Sequence, residues 1–242
     1  MKQYRLGAKL DRPDPRDRKF PTTLARARAA LALDRKFYTM VDKDFRINQG
    51  NEGTCVAHAA TNVLLAGPSE HDSYLPFVTE DAAHQFARQL YLESSGDATY
   101  QNGMWPRDAC AKLLERGQID SYWSVPQVDD LTTALLTFGP VMFTTPWYAS
   151  MYEGNGGRGD KVLAEKYGNW WIKVNMETEL IGFHEIAFTG VDLDPADGAP
   201  PYVRVQNSWG PGWGWNGTAR LTLENLHRLN RWDNWSFAEK AF

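Results

Sequence analysis

The residues able to do chemistry fall in three places. Cys55 sits in Gln49-Gly50-Asn51-Glu52-Gly53-Thr54-Cys55-Val56-Ala57-His58, at the start of a helix-like stretch. His184 follows 129 residues later and Asn207 152 residues later, the latter in Asn207-Ser208-Trp209-Gly210. A cysteine attacks as its thiolate, and a free thiol of pKa ~8.5 is mostly protonated at neutral pH. A helix N-terminus and a nearby imidazolium both favour the anion. One thiol, one imidazole and one amide in that order make a cysteine nucleophile with a histidine base and an amide orienter the leading reading. His58, three residues beyond Cys55, reads as a packed helical neighbour. Cys110, in Asp108-Ala109-Cys110-Ala111-Lys112-Leu113-Leu114, reads as a small buried hydrophobe on an amphipathic helix.

Helical spacing of Ala57, Ala60, Val63, Leu64 and Leu65 predicts a helix from Thr54 to Leu65, stopped by Gly67-Pro68. Further helices are predicted over Thr79 to Glu93 with Thr79 as cap, over Pro106 to Arg116, over Asp129 to Phe138, and over Leu24 to Leu33. Val141 to Thr145 reads as a strand. His184 to Val191 alternates, with His184, Ile186 and Phe188 on one face and Glu185, Ala187 and Thr189 on the other. Tyr202 to Asn207 reads as the return strand, with Val203, Val205 and Asn207 sharing a face. A hairpin of the two strands brings the Asn207 amide to one ring nitrogen of His184 and leaves the other for Cys55. Helices first and strands second predict an α+β protein.

The composition is that of a globular chain, 43% hydrophobic and 23% charged over 242 residues, with no apolar run near the ~20 residues of a membrane span. No membrane partner is therefore expected. Two cysteines are too few for a disulfide framework, and the charged start lacks the apolar core of a secretory signal. A reducing, cytoplasmic compartment is the simpler expectation. Residues 1–46 carry 13 Lys/Arg against 6 Asp/Glu, and the remainder 13 against 24. The basic run from Arg12 to Lys19 is interrupted by Asp14 and Asp17. A leader that docks on the acidic body is favoured over a nucleic-acid arm, and no nucleic acid is expected as a partner. His71, His84 and His227 show no metal-ligand spacing, and there is no phosphate-binding glycine loop or serine elbow. No metal and no cofactor are expected.

With these residues in place, the chain resembles the papain family of cysteine peptidases. The family's nucleophile pattern is Gln-Gly-x-Cys-Gly-Ser-Cys-Trp-Ala; Gln49, Gly50, Gly53, Cys55 and Ala57 match it in register, and Thr54 stands for the serine. Gly182-Phe183-His184-Glu185-Ile186 resembles the family's histidine strand. Asn207-Ser208-Trp209-Gly210-Pro211-Gly212-Trp213-Gly214, followed by Gly217, resembles its Asn-Ser-Trp-Gly block and is the most specific signal in the chain. The family separates its cysteine from these residues by roughly 130–150 positions.

The resemblance implies a two-lobed fold, a helical left lobe and an antiparallel β-barrel-like right lobe with the active-site cleft between them. Residues 1–36 are then a basic extension or short propeptide-like leader, and 37–242 the catalytic domain, helical from about 45 to 120 and sheet-rich from about 121 to 235. It implies an endopeptidase that cleaves peptide or protein substrates through a thioester acyl-enzyme. Cys55 is its nucleophile, His184 its base and acid, and Asn207 its orienter. Gln49 joins the Cys55 N–H in the oxyanion hole. Gly103, Met104, Glu185 and Trp209 are the implied substrate-binding residues, Trp209 also shielding the Asn207–His184 bond. Glu185 implies a preference for a basic substrate residue, while its position equally suits a surface carboxylate. The chain departs from the pattern at Glu52, where the family has a disulfide cysteine, at Val56 in place of Trp, and in the short leader. Two other readings keep the same fold: a peptide ligase or transamidase, in which an amine resolves the thioester, and a catalytically silent binding domain. Occupied positions 49, 55, 184 and 207 count against silence.

Overall fold

The computed structural model describes residues 4–12, 14–20, 23, 37–39, 45–66, 79–152, 159–230 and 234–238. Helix α1, Cys55–Leu65, is buried along its whole length. Its small residues Ala57, Ala59 and Ala60 let neighbours approach closely, and it packs against helix α2, Glu80–Ser95, and a long central strand. Helix α2 starts where the Thr79 hydroxyl accepts the Ala82 N–H, carries Glu80 and Asp81 in its first turn, and ends on a left-handed Gly96. Helix α3, Pro106–Glu115, begins with proline at its first turn, where no intrahelical N–H is needed. Helix α4 covers Val128–Thr137. These four agree with the predicted helices to within two residues. The predicted helix over Leu24 to Leu33 lies outside the described residues.

The strands are β1 Phe37–Thr39, β2 Ser121–Ser124, β3 Val141–Tyr148, β4 Leu180–Asp192, β5 Tyr202–Gln206, β6 Thr218–Thr222 and β7 Trp235–Ala238. They pair antiparallel in the order β2-β7-β3-β4-β5-β6, with β1 added on β4. Among the described residues the two ends of this path do not pair, so the sheet is open where the resemblance implied a barrel-like closure. Helices α5, Lys161–Tyr167, and α6, Leu223–Leu229, with a 3₁₀ turn at Ala149–Tyr152, complete the described elements. The order is interleaved: β1 precedes the helices, β2 separates α3 from α4, and α5 and α6 fall among the later strands.

The pleat of β3 and β4 divides the interior in two. Val141, Phe143, Ile186 and Phe188 point into a core shared with α4, β5 and β6. Met142 and Ala187, one residue out of step, point into a second core with α1, α2 and α3. A strand covered on both faces has no wet side. This is why Glu185 and Thr189, although they alternate with apolar residues, are fully buried.

Candidate active site

Cys55 opens α1 from the helical side, and the backbone N–H groups of Glu185 on β4, of Gly7 near the N-terminus and of Val56 act on its sulfur in favour of the thiolate. Thr54 places no side-chain cap on the helix, so the first-turn N–H of Val56 is free to face the sulfur. Burial dominates nonetheless. With no exposed surface, the thiol is pushed up to about 12, burial outweighing the three donated N–H groups.

His184 stands on β4, immediately before Glu185. Its Nε2 lies 2.8 Å from Asn207 Oδ1. The same oxygen accepts the Ser208 N–H at 2.7 Å, which identifies that amide atom as the oxygen. An oxygen accepts, so Nε2 carries the ring proton and Nδ1 is left bare. Nδ1 is buried and has no hydrogen-bond partner within the described residues. Burial pushes the imidazole down to about 4, the Asn207 bond opposing this. Trp209 stacks on the His184 ring at 4.7 Å and 23°, and Trp147 meets that ring edge-on at 4.9 Å. Both tryptophans are buried and keep water from the His184–Asn207 bond.

Gln49 lies in the turn before α1. Its Nε2 donates to two carbonyls, Glu52 O at 2.8 Å and Arg5 O at 3.0 Å, and its Oε1 accepts the Ser208 hydroxyl at 2.5 Å. The Gln49 N–H also donates to Ser208 O at 2.8 Å. One serine thus holds both amides of the site, through its N–H on Asn207 and its hydroxyl on Gln49. The loop that lacks a disulfide cysteine at Glu52 is tied instead by an ion pair, Glu52 to Arg88 at 3.2 Å, and by Gly53 N–H to Tyr100 O at 2.8 Å.

The N-terminal segment lies across this arrangement. Tyr4 stacks on Trp209 at 4.6 Å, and its carbonyl accepts the Tyr152 hydroxyl at 3.0 Å. Arg5 O meets Gln49, the Gly7 N–H meets the Cys55 sulfur, and Ala8 N–H donates to Phe183 O at 3.3 Å. Met104 pairs with the segment in parallel, donating to Gly7 O and accepting from Lys9 N–H, both at 3.0 Å. The approach demands glycine on both sides. A Cβ on Gly7 falls 2.0 Å from Gly53 O, and one on Gly103, whose φ is +69°, falls 2.2 Å from Gly7 O.

The structure therefore gathers Gln49, Cys55, Gly103, Met104 and Trp209 around one peptide segment, with His184 stacked on Trp209 and bonded to Asn207. Glu185 is placed differently. Its side chain is fully buried on the helical side of β4, with Oε2 accepting the Thr144 hydroxyl at 2.6 Å and Oε1 without a partner among the described residues. Burial raises its carboxyl well above the usual range. His58 is buried on α1, bonded to Thr54 O and His84, and Cys110 is buried on α3. Ser208, Trp147, Tyr152 and Gly7 were not picked out as site residues from sequence. Ser208 lay in view inside the Asn-Ser-Trp-Gly run; Gly7 carried no local signal. Among the described residues no three His, Cys, Asp or Glu side chains come together as a metal site, and no helix is long and apolar enough to cross a membrane.

The model of the papain family cysteine proteases matches residues 69–231, more than half of the chain. The chain belongs to the papain family of cysteine proteases. The matched span takes in His184 and Asn207, while Gln49 and Cys55 precede it. Its fold is similar to xylellain, a cysteine protease of Xylella fastidiosa, with TM-score 0.70, 17% identity, and 98% of this chain and 96% of that one covered. It is also similar to procathepsin B S9 of Trypanosoma congolense, at TM-score 0.64, 12% identity and 98% and 87% coverage. A third likeness is to the Ananas comosus bromelain protease in complex with the E64 inhibitor, at TM-score 0.56, 14% identity and 85% and 99% coverage. No curated protein sequence matches the chain.

Proposed function

We propose that the chain is a thiol endopeptidase working through Cys55, His184 and Asn207, and that its first ~36 residues are a leader that keeps the cleft shut. The observation that carries the reading is the bare, buried Nδ1 of His184, whose tautomer Asn207 and Ser208 decide; the sulfur of Cys55, at a helix N-terminus, is its proposed partner. With the leader away and water admitted, the thiol gives its proton to Nδ1, and the ion pair is favoured by the α1 dipole and the Asn207 bond. The thiolate attacks a peptide carbonyl carbon, and the oxyanion is held by Gln49 Nε2–H and the Cys55 N–H. His184 returns the proton to the leaving amine, which departs to give the thioester. A water deprotonated by the same imidazole then attacks the thioester, and the thiol leaves with that proton.

The leader supports the substrate class, because it is itself an extended peptide bonded through its backbone to Met104 and lying on Trp209. A substrate takes the same backbone partners when the leader leaves. Proform structures among proteins of similar fold, procathepsin B S9 of Trypanosoma congolense for one, support the reading of residues 1–36 as a propeptide-like segment. The test is cleavage of an unfolded protein by enzyme freed of its leader. Cleavage is expected to vanish in Cys55→Ala; cleavage that persists overturns the proposal.

A further inference from the structure

Arg107 is the second residue of α3, three residues beyond Met104, and its backbone N–H belongs to the first helical turn, where no intrahelical acceptor exists. That N–H donates to Asp11 Oδ2 at 3.0 Å. The same carboxylate oxygen accepts the indole N–H of Trp235 at 3.1 Å. Trp235 is fully buried and comes from β7, so the carboxylate ties together a helix start, a strand near the C-terminal end and the leader. The Arg107 guanidinium stands 3.9 Å from the other Asp11 oxygen and lies over the Trp235 ring at 5.4 Å. Only 4% of the Asp11 side chain is exposed. Farther along, Asp17 takes the Arg107 Nε and Nη2 at 2.8 and 2.6 Å, and Arg12 O takes Nη2 at 2.8 Å.

These contacts differ in kind. Asp17 meets Arg107 in a bidentate pair where its side chain is 13% exposed and that of the arginine 22%, and it touches only the guanidinium, neither the helix-start N–H nor Trp235. Asp11 is almost sealed, holds two N–H donors that have no water to turn to, and lies three residues from Ala8, whose neighbours pair with Met104 over the cysteine. Burial also works against its charge, raising the carboxyl to about 6 despite those donors. A buried carboxylate opposed by desolvation and retained by a few donors is a contact made or lost as a unit.

We propose that the Arg107 N–H, the Arg107 guanidinium and the Trp235 indole N–H form a carboxylate-binding site, and that its occupation by Asp11 is the catch holding the leader over Cys55. The ligand class is a side-chain carboxylate on an extended peptide, supplied here by the chain itself. The proposal rests on reading the leader as the closure of the cleft, but its test needs no peptidase activity.

The experiment measures the rate at which iodoacetamide labels each cysteine of the full chain at pH 7, resolved by mass spectrometry. Cys110, buried on α3 beside the catch, reports any general loosening. Asp11→Ala is expected to speed Cys55 labelling by roughly tenfold or more and leave Cys110 slow. Asp11→Asn, whose amide oxygen still accepts both N–H groups, gives a smaller rise. Trp235→Phe, which removes one donor and keeps most of the packing, gives a selective rise as well. Asp17→Ala, which leaves both N–H donors on Asp11, gives a smaller rise in Cys55 labelling than Asp11→Ala. Cys55 labelling unchanged in Asp11→Ala and Trp235→Phe, or rising in step with Cys110, overturns the catch. Failure of the peptidase reading would appear elsewhere, as an enzyme freed of its leader that cleaves nothing.

Discussion

Gly7→Ala tests the closed cleft most directly. A Cβ there falls 2.0, 2.5 and 2.7 Å from the O, C and Cα of Gly53, all backbone atoms. Gly53 has nowhere to retreat. Its N–H is held by Tyr100 O at 2.8 Å, and its own far side meets Gln101 O at 2.9 Å from a notional Cβ. The leader must lift, and the Cys55 sulfur then regains water. Burial pushes the thiol up to about 12 in the closed chain, so far less of it is ionised at pH 7 than the roughly three in a hundred of a free cysteine. Alkylation of Cys55 in the intact chain should therefore run at least about a hundredfold slower than that of glutathione, and Gly7→Ala should recover most of that gap. The assay is the iodoacetamide rate between pH 5 and 9. The closed chain should gain about tenfold per pH unit throughout. The alanine variant should flatten, because an imidazole-paired thiolate persists at low pH, and at pH 5 it should outrun glutathione. Wild-type Cys55 that reacts like a free thiol, or Gly7→Ala that stays as slow as wild type, would show that the leader does not govern the sulfur.

Ser208→Ala removes the hydroxyl that sets the Gln49 amide, so kcat should fall about tenfold to a hundredfold with KM within about twofold. Gln49→Ala and the double variant should then be equally slow, and additive losses would sink the coupling. His58 is pushed down to about 3 by burial, with Thr54 O supporting the charged ring and His84 and Arg88 opposing it. A depressed histidine stabilises above its free value of ~6.5 and loses that contribution as pH falls towards 3, about 2 kcal/mol by pH 5. His184, pushed down to about 4, acts in the same direction. Urea midpoints at pH 7.5 and 5.0 should show the decline in wild type and a decline smaller by about 2 kcal/mol in His58→Gln, and equal declines would refute the assignment. Glu185 is sealed on the helical side of β4 with its carboxyl raised by burial, so it offers a substrate no charge. A peptide-library profile should keep the same preferences in Glu185→Ala, and a preference for basic residues lost in that variant would overturn the placement.

The legible parts of the chain are those in which spacing along the sequence is also spacing in space. Apolar residues at helical intervals placed α1 and Cys55 at its start, and alternation placed His184 and Asn207 on facing positions of a hairpin. The Asn207 to Gly217 run carried the family resemblance on order alone. Glu185 shows where such reasoning stops. Alternation assigned it a face, but whether that face was wet depended on α1 to α3 packing against it. The short α5, α6, β2 and β6, and the terminal β7, were missed because four to seven residues carry too little periodicity.

The sequence by itself determined the chemical inventory, namely a thiol, an imidazole and two amides on elements of readable period. Tertiary structure alone decided their state. Asp11 meets Trp235 across 224 positions, Tyr4 meets Trp209 across 205, and Asp11 meets Arg107 across 96. No local pattern encodes contacts at such separations, because they arise when the sheet and helices have already assembled the surface that the leader covers. The same assembly turned Cys55 from a residue at an accessible helix start into a buried, protonated thiol, since burial outweighs the helix dipole and every N–H aimed at it.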